Sequence, residues 1–550
     1  MSLNAAGEHD RQDVDAGVLR LAYVNETDRF NLTDETIVDA LVRLSRDAAD
    51  RPAVIWATGH GAEQLSWSEL GDRAQRGAAT LLAINPRRDR VAVAALNSVD
   101  WLVAMFACAM AGTPIVPVSA SGTDDETGYQ LEHARVGVVL AAKWAGEHRV
   151  LERVRALAPS LQTPPAVHDI SEICSTARAT PVIVSPDNEF LVQYTSGTTG
   201  RPKAASLSHR AALNSAAVFM RAVGCTTGDR FLNPLPLHHV GGTVTGMIAA
   251  LAIGGTYILV ERFSPHAVLD ALRETRPALA GLVPTMMIDL LALPGVTPAD
   301  FSSLRTVVGG ATAVDPALIA QMERRLGTTV VGSYGQSEAP AITASSPEDP
   351  PRTRTQTLGR CLPGRDIAIR DRGGSIAAIG VVGELHVRGP LTMSGYLQSD
   401  GSLDPAVDSD GWRGTGDLCS MDGDGVVSFH GRSREVVIRG GLNIYPAEVE
   451  QAISTHETVS EIAVFGVPDQ RLGERVVAAV IPAPHAEVEV TQLAALATVR
   501  LSSYKRPAEW VVVATLPRTN TGKVRKHILR AWYEDGSLSS QCGGAPGTGD

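Results

Sequence analysis

The sequence predicts an α/β protein in which short buried strands alternate with helices. Apolar runs at 90–96 and 114–118 predict strands, and the apolar segment 100–111 between them predicts a helix. Strand-like runs at 136–140 and 190–193 continue the series. A strand, a helix and a second strand at this spacing favour parallel α/β units.

Length and composition limit the possible classes of protein. A chain of 550 residues is too long for one compact core and indicates two or more domains. A net charge of -11 disfavours nucleic acid as the main partner, because phosphate backbones attract basic surfaces. The six cysteines lie far apart without a Cys-x-x-Cys pair, which suits reduced thiols better than disulfides or a zinc site.

The two ends of the chain and its apolar stretches suggest where the protein resides. The start of the chain has no basic residues followed by an apolar run, so we expect no secretory signal. Apolar stretches such as 101–111 are much shorter than a membrane span. We therefore expect a cytoplasmic protein, with disordered ends at 1–30 and 536–550, where polar or Gly/Ser-rich sequence has little to bury.

A glycine- and hydroxyl-rich stretch near the middle of the chain predicts a phosphate site. Its residues are Tyr194, Thr195, Ser196, Gly197, Thr198, Thr199, Gly200, Arg201, Pro202 and Lys203. Glycines let backbone N–H groups converge on one point, hydroxyls add donors and Lys203 adds positive charge. The spacing of a Walker A loop is absent. A flexible surface loop is the alternative, but ten such residues directly after a predicted strand favour a phosphate cradle.

This stretch resembles the signature loop of the adenylate-forming superfamily, which contains acyl- and aryl-CoA synthetases, peptide synthetase adenylation domains and luciferases. The resemblance extends from roughly residue 35 to residue 530 through further motifs in the family's order. Such enzymes activate a carboxylate with ATP as an acyl-adenylate and commonly pass the acyl group to a thiol. The resemblance implies that 195–200 and Lys203 bind ATP and that Thr195 contributes to catalysis.

Two later segments resemble the family's nucleotide-binding elements. Segment 304–312 resembles a strand that ends in glycines, where adenine could lie against bare backbone. Segment 329–338 resembles the family's Tyr-Gly-x-Thr-Glu motif, with serine in place of threonine. The implied nucleotide-binding residues are Gly310, Ala311, Ser333, Tyr334, Gly335 and Ser337. Among them, Tyr334 would stack on adenine and Ser337 would reach the α-phosphate, whereas Glu338 would be catalytic and hold the Mg²⁺ carried by ATP.

The C-terminal third of the chain matches further family motifs. Asp417 and Arg432 fall at positions that contact ribose, and a carboxylate suits a vicinal diol because it accepts two hydrogen bonds. The resemblance also implies a hinge at Arg434, a passage for the pantetheine arm of coenzyme A at Gly440 and Gly441, and a catalytic, ATP-contacting lysine at Lys523.

The resemblance also indicates the kind of acid. The implied substrate-binding residues are His238, His239, Gly309 and Ser333. Adenylation domains for α-amino acids usually have an aspartate where His239 stands, and that carboxylate pairs with the substrate's ammonium. A buried ammonium without a carboxylate is costly, so we expect an apolar carboxylic acid, aliphatic or aryl.

Together these features predict an acyl-CoA synthetase that uses ATP, Mg²⁺ and coenzyme A. We expect a large α/β domain at 31–432 and a small mobile α+β domain at 433–535. An acyl carrier protein is the alternative acceptor. The resemblance disfavours it, because ligases that load such carriers typically have an insertion in the large domain, whereas the path from residue 338 to residue 383 is short. A non-catalytic nucleotide-binding protein would be expected to lack Glu338, Asp417 or Lys523. Motifs alone leave an oxygenase of the luciferase kind open.

Overall fold

The computed structural model describes residues 14–15, 18–27, 31–58, 61–174, 176–195, 202–310, 316–518 and 524–538. The chain forms two compact units. The first, here called the N-terminal unit, comprises Val24–Ile367 and Val387–Arg413. The second, the C-terminal unit, comprises Met1–Tyr23, Ala368–His386 and Gly414–Asp550. The domain boundary predicted after residue 432 lies within this last segment and stays a prediction.

One sheet of the N-terminal unit carries the two ends of the phosphate stretch. Its strands in spatial order are Leu403–Asp404, Gly395–Leu397, Lys203–Ser208, Glu189–Thr195, Ile115–Val118, Arg90–Ala94, Val136–Ala141 and Ala166–Asp169. From Glu189–Thr195 onward the pairs are parallel, which confirms the predicted α/β units. Glu189–Thr195 and Lys203–Ser208 are antiparallel, so Thr195 lies directly opposite Lys203.

A second, mostly parallel sheet of this unit carries the segments predicted to bind adenine and magnesium. Its strands in spatial order are Gly359–Cys361, Ala339–Ala344, Thr329–Gln336, Thr306–Gly310, Leu279–Gly281, Arg230–Asn233, Thr256–Leu259, Pro52–Ala57 and Ala62–Ser66. Thr306–Gly310 and Thr329–Gln336 pair in parallel, and Gly310 lies beside Ser333. The carboxyl ends of both strands therefore meet at one edge of the sheet.

Helices cover these sheets. The α-helices are Ile37–Asp47, Trp67–Ile84, Val99–Ala111, Asp124–His133, Val150–Leu157, His209–Ala222, Val240–Gly242, Ala249–Ala252, Pro265–Thr275, Pro284–Ala292, Pro316–Leu326 and Pro351–Gln356, with a π-helix at Thr243–Ile248. Short 3₁₀ turns lie at Ala158–Ser160, Ile170–Glu172 and Pro298–Phe301.

The helix Val99–Ala111 illustrates how the sequence sets these elements. The Ser98 side chain caps its first turn, and Gly112 ends it with a left-handed φ of 65°. Its residues from Trp101 to Ala111 are buried all round, which stabilises the unit by roughly 2 kcal/mol for each large apolar side chain. The predicted helix at 100–111 is confirmed.

The C-terminal unit contains two groups of strands. The first group consists of the strands Asp366–Arg370, Gly383–Arg388, Arg413–Met421 and Val426–Arg432. All of these except Val426–Arg432 include one or two residues that belong to the N-terminal unit. A second sheet has the order Leu442–Ile444, Val437–Arg439, Gly473–Pro482 and Val459–Asp469, with Glu509–Val512 paired to Gly473–Pro482. Helices lie at Ser433–Glu435, Pro446–Ile453, Val490–Arg500, Ser503–Lys505 and Lys526–Glu534.

Part of the N-terminal segment is structured. Short strands form at Val14–Asp15, Val18–Leu19 and Tyr23–Asn25. Ala22 and Tyr23 are buried, and the Ala22 N–H donates to the Ala377 carbonyl. The disorder expected over 1–30 therefore does not extend to these residues, because backbone pairing holds a polar sequence in place. Within the described ranges, every helix is too short or insufficiently apolar to cross a membrane.

Helix His209–Ala222 begins with a buried histidine that makes the fold sensitive to acid. His209 is 2% exposed, and burial lowers its pKa to about 4. The unfolded chain takes up this proton near pH 6.5, so it binds more protons than the folded chain between the two values, and stability falls as pH falls through that window. The loss amounts to roughly 3 kcal/mol across the whole window.

We therefore expect His209→Phe to reduce the acid sensitivity of the protein. The His209 ring already packs against Phe190, with ring centroids 5.2 Å apart, so an aromatic replacement suits the site. The measurement is the fall in unfolding temperature between about pH 7 and about pH 5 for wild type and variant. The exposed His266 provides a control, since His266→Phe should leave the fall unchanged. An equal fall in His209→Phe and wild type would contradict the assignment.

Candidate active site

Glu338 lies at the turn of a tight hairpin. Strands Thr329–Gln336 and Ala339–Ala344 are antiparallel with Gln336 opposite Ala339, so Ser337 and Glu338 form the two-residue connection. Both side chains are buried, with exposures of 7% and 9%. The hairpin thus removes both residues assigned to the phosphate and metal from bulk water.

Gly335 allows the two strands of this hairpin to approach closely. The strand register shifts between Tyr334 and Gln336, so Gly335 lies at an irregularity. A Cβ at Gly335 would lie 2.4 Å from the Ala341 backbone nitrogen. No side chain fits at that distance, and glycine is required for the geometry of the turn.

Tyr396 joins Glu338 to Lys203. The Tyr396 hydroxyl donates to Glu338 Oε1 at 2.7 Å, and the Lys203 ammonium lies 4.8 Å from the centroid of the Tyr396 ring. Burial, together with the charge of Glu338 and this hydrogen bond, raises the pKa of Tyr396, so the phenol stays a donor. The Met393 N–H also donates to the Glu338 carbonyl at 2.7 Å. Residues that are far apart in sequence therefore form one cluster.

The strands beside this cluster carry the residues assigned to adenine and substrate. Gly309 lies beside Gly332 and Gly310 beside Ser333 in the parallel pair. A Cβ at Gly310 would lie 2.9 Å from the Ser333 carbonyl oxygen, so the two strands leave no room for a side chain there. The Tyr334 hydroxyl accepts a hydrogen bond from the Gln336 side chain at 3.2 Å. Gly309, Gly310, Ser333 and Tyr334 thus share one sheet edge, whereas Ala311 lies outside the described residues.

The two adjacent histidines have different surroundings. Burial lowers the pKa of His238 to about 4, so this ring is neutral at physiological pH. His239 caps the short helix Val240–Gly242, since its Nδ1 accepts the Gly241 N–H at 3.1 Å. An Nδ1 that accepts a hydrogen bond carries no proton, so the proton of the neutral ring is on Nε2. His239 therefore provides a donor and no negative charge.

The two residues of the C-terminal unit that are predicted to contact ribose are cross-strand partners. Asp417 on Arg413–Met421 lies opposite Arg432 on Val426–Arg432. Arg432 Nε is 3.3 Å from Asp417 Oδ1, and Asp417 is 5% exposed. Gly416 precedes Asp417 with a φ of 74°, and its N–H donates to Glu384 Oε1 at 3.0 Å. This arrangement fixes the carboxylate beside a cation.

The residues predicted to form the hinge and to contact coenzyme A follow in the sequence. Arg434 lies in the 3₁₀ turn Ser433–Glu435, next to Arg432. Gly440 and Gly441 connect Val437–Arg439 to Leu442–Ile444 with φ values of 58° and 81°. Positive φ at both central residues is the mark of a type I′ hairpin turn, which glycine adopts without strain. A Cβ at Gly441 would meet no atom within 4 Å, so turn geometry rather than crowding requires this glycine.

Several predicted site residues lie outside the described residues: Ser196, Gly197, Thr198, Thr199, Gly200, Ala311 and Lys523. The residues that flank 519–523 are described. Arg518 and Val524 form an antiparallel bridge, and the Arg525 N–H donates to the Pro517 carbonyl at 2.7 Å. The residues on either side of 519–523 are therefore held next to one another.

Lys526, three residues after Lys523, connects its own helix Lys526–Glu534 to the helix Pro446–Ile453 and to the turn Ser433–Glu435. Its ammonium lies 2.7 Å from Glu450 and 3.4 Å from Glu435, which belongs to the 3₁₀ turn after Arg432. Burial alone would lower the pKa of Lys526, but the two carboxylates outweigh it and raise the pKa. No sequence motif indicates a role for Lys526, because its partners are distant along the chain.

The donor set around Glu338 suits a magnesium ion that arrives with a nucleotide. Tyr396 donates to one carboxylate oxygen, and no other described side chain donates to the carboxylate. Mg²⁺ usually binds through one or two carboxylates plus phosphate oxygens and water. Within the described part of the chain, no group of three or more His, Cys, Asp or Glu residues could hold a metal. Of the described residues, Glu338 would bind the ion, and phosphate oxygens and water would complete its coordination.

Comparison with known proteins identifies the family. Residues 42–397 match the AMP-binding enzyme family, and residues 448–523 match the AMP-binding enzyme C-terminal domain. The chain therefore belongs to the AMP-binding enzymes, an adenylate-forming superfamily. This membership confirms the resemblance inferred from the motifs.

Individual relatives agree with this assignment. The chain is 34% identical over 479 residues to indoleacetate–CoA ligase of Aromatoleum aromaticum, covering 85% of this chain and 92% of the relative. It is 32% identical over 520 residues to the 3-[(3aS,4S,7aS)-7a-methyl-1,5-dioxo-octahydro-1H-inden-4-yl]propanoyl:CoA ligase of Rhodococcus jostii, covering 90% and 98%. The crystal structure of ATP-bound MatB from Rhodopseudomonas palustris matches with a TM-score of 0.82 at 28% identity, covering 90% of this chain and 99% of that one.

Proposed function

We propose that the protein is an AMP-forming acyl-CoA synthetase that activates a bulky apolar carboxylic acid. The observation that carries this proposal is the cluster of Glu338, Tyr396 and Lys203 beside the ends of the phosphate stretch. It combines a buried carboxylate suited to Mg²⁺ with a cation suited to phosphate. Family membership supplies the reaction class, and two relatives are named for CoA ligation of acids that carry ring systems.

The first half-reaction forms an acyl-adenylate. A substrate carboxylate oxygen attacks the α-phosphorus of ATP, and pyrophosphate leaves. Lys203, the hydroxyls of 195–199 and Lys523 stabilise the negative charge that develops on the phosphate oxygens. Bound Mg²⁺, held by Glu338, would neutralise part of that charge. Tyr396 fixes the orientation of the Glu338 carboxylate through its 2.7 Å hydrogen bond.

The nucleotide and the thiol acceptor use the remaining residues. Tyr334 stacks on adenine beside the bare backbone of Gly310, and Asp417 accepts hydrogen bonds from the ribose hydroxyls while Arg432 holds the carboxylate. In the second half-reaction the thiol of coenzyme A attacks the acyl carbonyl, and AMP leaves. The pantetheine arm passes the Gly440-Gly441 turn.

Pyrophosphate exchange tests this proposal. Purified protein is incubated with ATP, Mg²⁺, labelled pyrophosphate and a panel of fatty, aryl and amino acids. Exchange with an apolar acid, followed by thioester formation on adding coenzyme A, is the expected result. Thioester formed only with an acyl carrier protein would identify the other acceptor. No exchange with any acid would refute the proposal.

We expect α-amino acids to be poor substrates compared with their deaminated analogues. His239 lies where amino-acid-activating relatives have a carboxylate, and its acceptor nitrogen already receives the Gly241 N–H. An ammonium without a partner should lose at least about 2 kcal/mol, roughly thirtyfold in rate. The measurement compares exchange rates for leucine with isocaproate and for phenylalanine with hydrocinnamate. His239→Asp should narrow the gap, and faster exchange with leucine than with isocaproate would contradict the pocket assignment.

A further inference from the structure

Arg365 is a buried cation whose described contacts are all with neutral groups. Its exposure is 0%, and it donates to two backbone carbonyls and one hydroxyl. Burial lowers the pKa of Arg365 to about 10, so the guanidinium is still charged at neutral pH. A buried charge without a counter-charge is costly, so its contacts must offset that cost.

The first set of contacts holds the strand that follows Glu338. Arg365 Nη1 donates to the carbonyls of Pro340 and Ala341, at 2.6 Å each. Ala341 has a φ of 54°, a conformation that a residue with a side chain rarely adopts. This is also the residue whose backbone contacts Gly335 on the opposite strand. Arg365 therefore stabilises the strained side of the hairpin that carries Glu338.

The second set of contacts reaches the segment that carries Tyr396. Arg365 Nη2 donates to Ser215 Oγ at 3.2 Å, and that hydroxyl donates to the Leu391 carbonyl at 3.4 Å. Leu391 lies shortly before Met393, whose N–H donates to the Glu338 carbonyl. The same guanidinium is thus connected to two backbone segments of the cluster, directly to the strand that follows Glu338 and through Ser215 to the segment that precedes Tyr396.

We propose that Arg365 is a positioning residue that fixes Glu338 for magnesium-bound nucleotide by holding the hairpin after Glu338 and, through Ser215, the segment that carries Tyr396. Arg365 itself does not touch the metal. This inference rests on the proposed function, because it takes Glu338 as the residue that holds Mg²⁺. Removing an outer partner of a metal ligand typically lowers metal affinity about ten- to a hundredfold.

The test compares Arg365→Met with Arg354→Met. Arg354 is also a buried arginine of the N-terminal unit, pairs with Glu323, and donates to the carbonyls of Val330 and Asp349. Binding of ATP is measured by calorimetry with Mg²⁺ and with a chelator, alongside the Mg²⁺ concentration that half-saturates pyrophosphate exchange. Glu338→Gln shows how far complete loss of the carboxylate moves both values, and thermal unfolding reports stability separately.

We expect Arg365→Met to raise the half-saturating Mg²⁺ concentration about tenfold. The variant should also lose part of the difference in ATP affinity with and without Mg²⁺, so that this difference approaches the one measured for Glu338→Gln. Arg354→Met should lower the unfolding temperature and keep the wild-type magnesium requirement. A wild-type requirement in Arg365→Met, with only a lower unfolding temperature, would overturn the proposal. So would an equal shift in Arg354→Met.

A conservative variant covers the case in which Arg365→Met does not fold. Arg365→Lys keeps the charge, but its single ammonium nitrogen replaces the planar fork whose two nitrogens reach Pro340, Ala341 and Ser215. Its magnesium requirement should therefore lie above that of wild type. An unchanged requirement in Arg365→Lys would overturn the proposal. If wild type exchanges pyrophosphate but binds ATP equally well with and without Mg²⁺, the positioning role fails while the proposed function stands. If wild type exchanges pyrophosphate with no acid, the proposed function itself fails.

Discussion

Lys523→Ala is expected to lower adenylate formation on the order of a hundred- to a thousandfold, while supplied acyl-adenylate is still converted to thioester. The lysine acts where negative charge develops on the α-phosphate, and losing such a contact costs about 3 kcal/mol or more in the transition state. Thioester formation from acyl-adenylate does not pass through that transition state. The measurements are pyrophosphate exchange for the first half-reaction and release of AMP from isolated acyl-adenylate with coenzyme A for the second.

A second lysine of the C-terminal unit provides the control. Lys505 pairs with Glu448, whose side chain is 44% exposed, and an ion pair of this kind contributes no more than about 1 kcal/mol. Lys505→Ala should therefore leave both half-reactions near wild type. Near-normal pyrophosphate exchange by Lys523→Ala would show that the lysine is not catalytic. Equal loss in both half-reactions would indicate damage to the fold.

Local sequence signals predicted the elements that carry the site. Strand Glu189–Thr195 and the helix Val99–Ala111 lie where the apolar runs at 190–193 and 100–111 predict them. Aromatic and β-branched residues favour the strand, and the longer apolar run favours a buried helix. The hairpin turn at Gly440-Gly441 follows equally local rules, since a Gly-Gly pair between two short strands is a strong turn signal. The family resemblance assigns these glycines to pantetheine and does not by itself indicate the turn.

Contacts between distant residues were not predictable in this way. Tyr396 is separated from Glu338 by 58 positions, and Arg365 from Ser215 by 150. No local sequence pattern links the two residues of either pair, because the tertiary packing of separate strands and loops brings them together. The cap that His239 forms on the helix Val240–Gly242 could have been predicted from the sequence, because a polar residue directly before a helix often accepts a backbone N–H. The π-helix Thr243–Ile248 has no local sequence signal that we can identify.

Arg434→Pro should affect the two half-reactions unequally, with a loss of roughly a hundredfold in one of them. We infer that Lys523 and the Gly440-Gly441 turn act in different half-reactions, so the segment that carries both must rotate between the steps. A few backbone torsions at such a junction can absorb a large rotation. Arg434 lies in the 3₁₀ turn Ser433–Glu435, directly after the strand Val426–Arg432, where this change would occur.

Proline restricts the torsions on both sides of this position. It fixes φ near -65° at residue 434 and disfavours helical torsions at Ser433. If the restricted state is the adenylating one, pyrophosphate exchange survives while AMP release from isolated acyl-adenylate collapses; if it is the thioester-forming one, the pattern is reversed. Arg434→Ala separates the backbone from the side chain, since it removes the guanidinium and leaves the torsions free. Equal effects of alanine and proline would assign the role to the side chain, and no effect of either would place the hinge elsewhere.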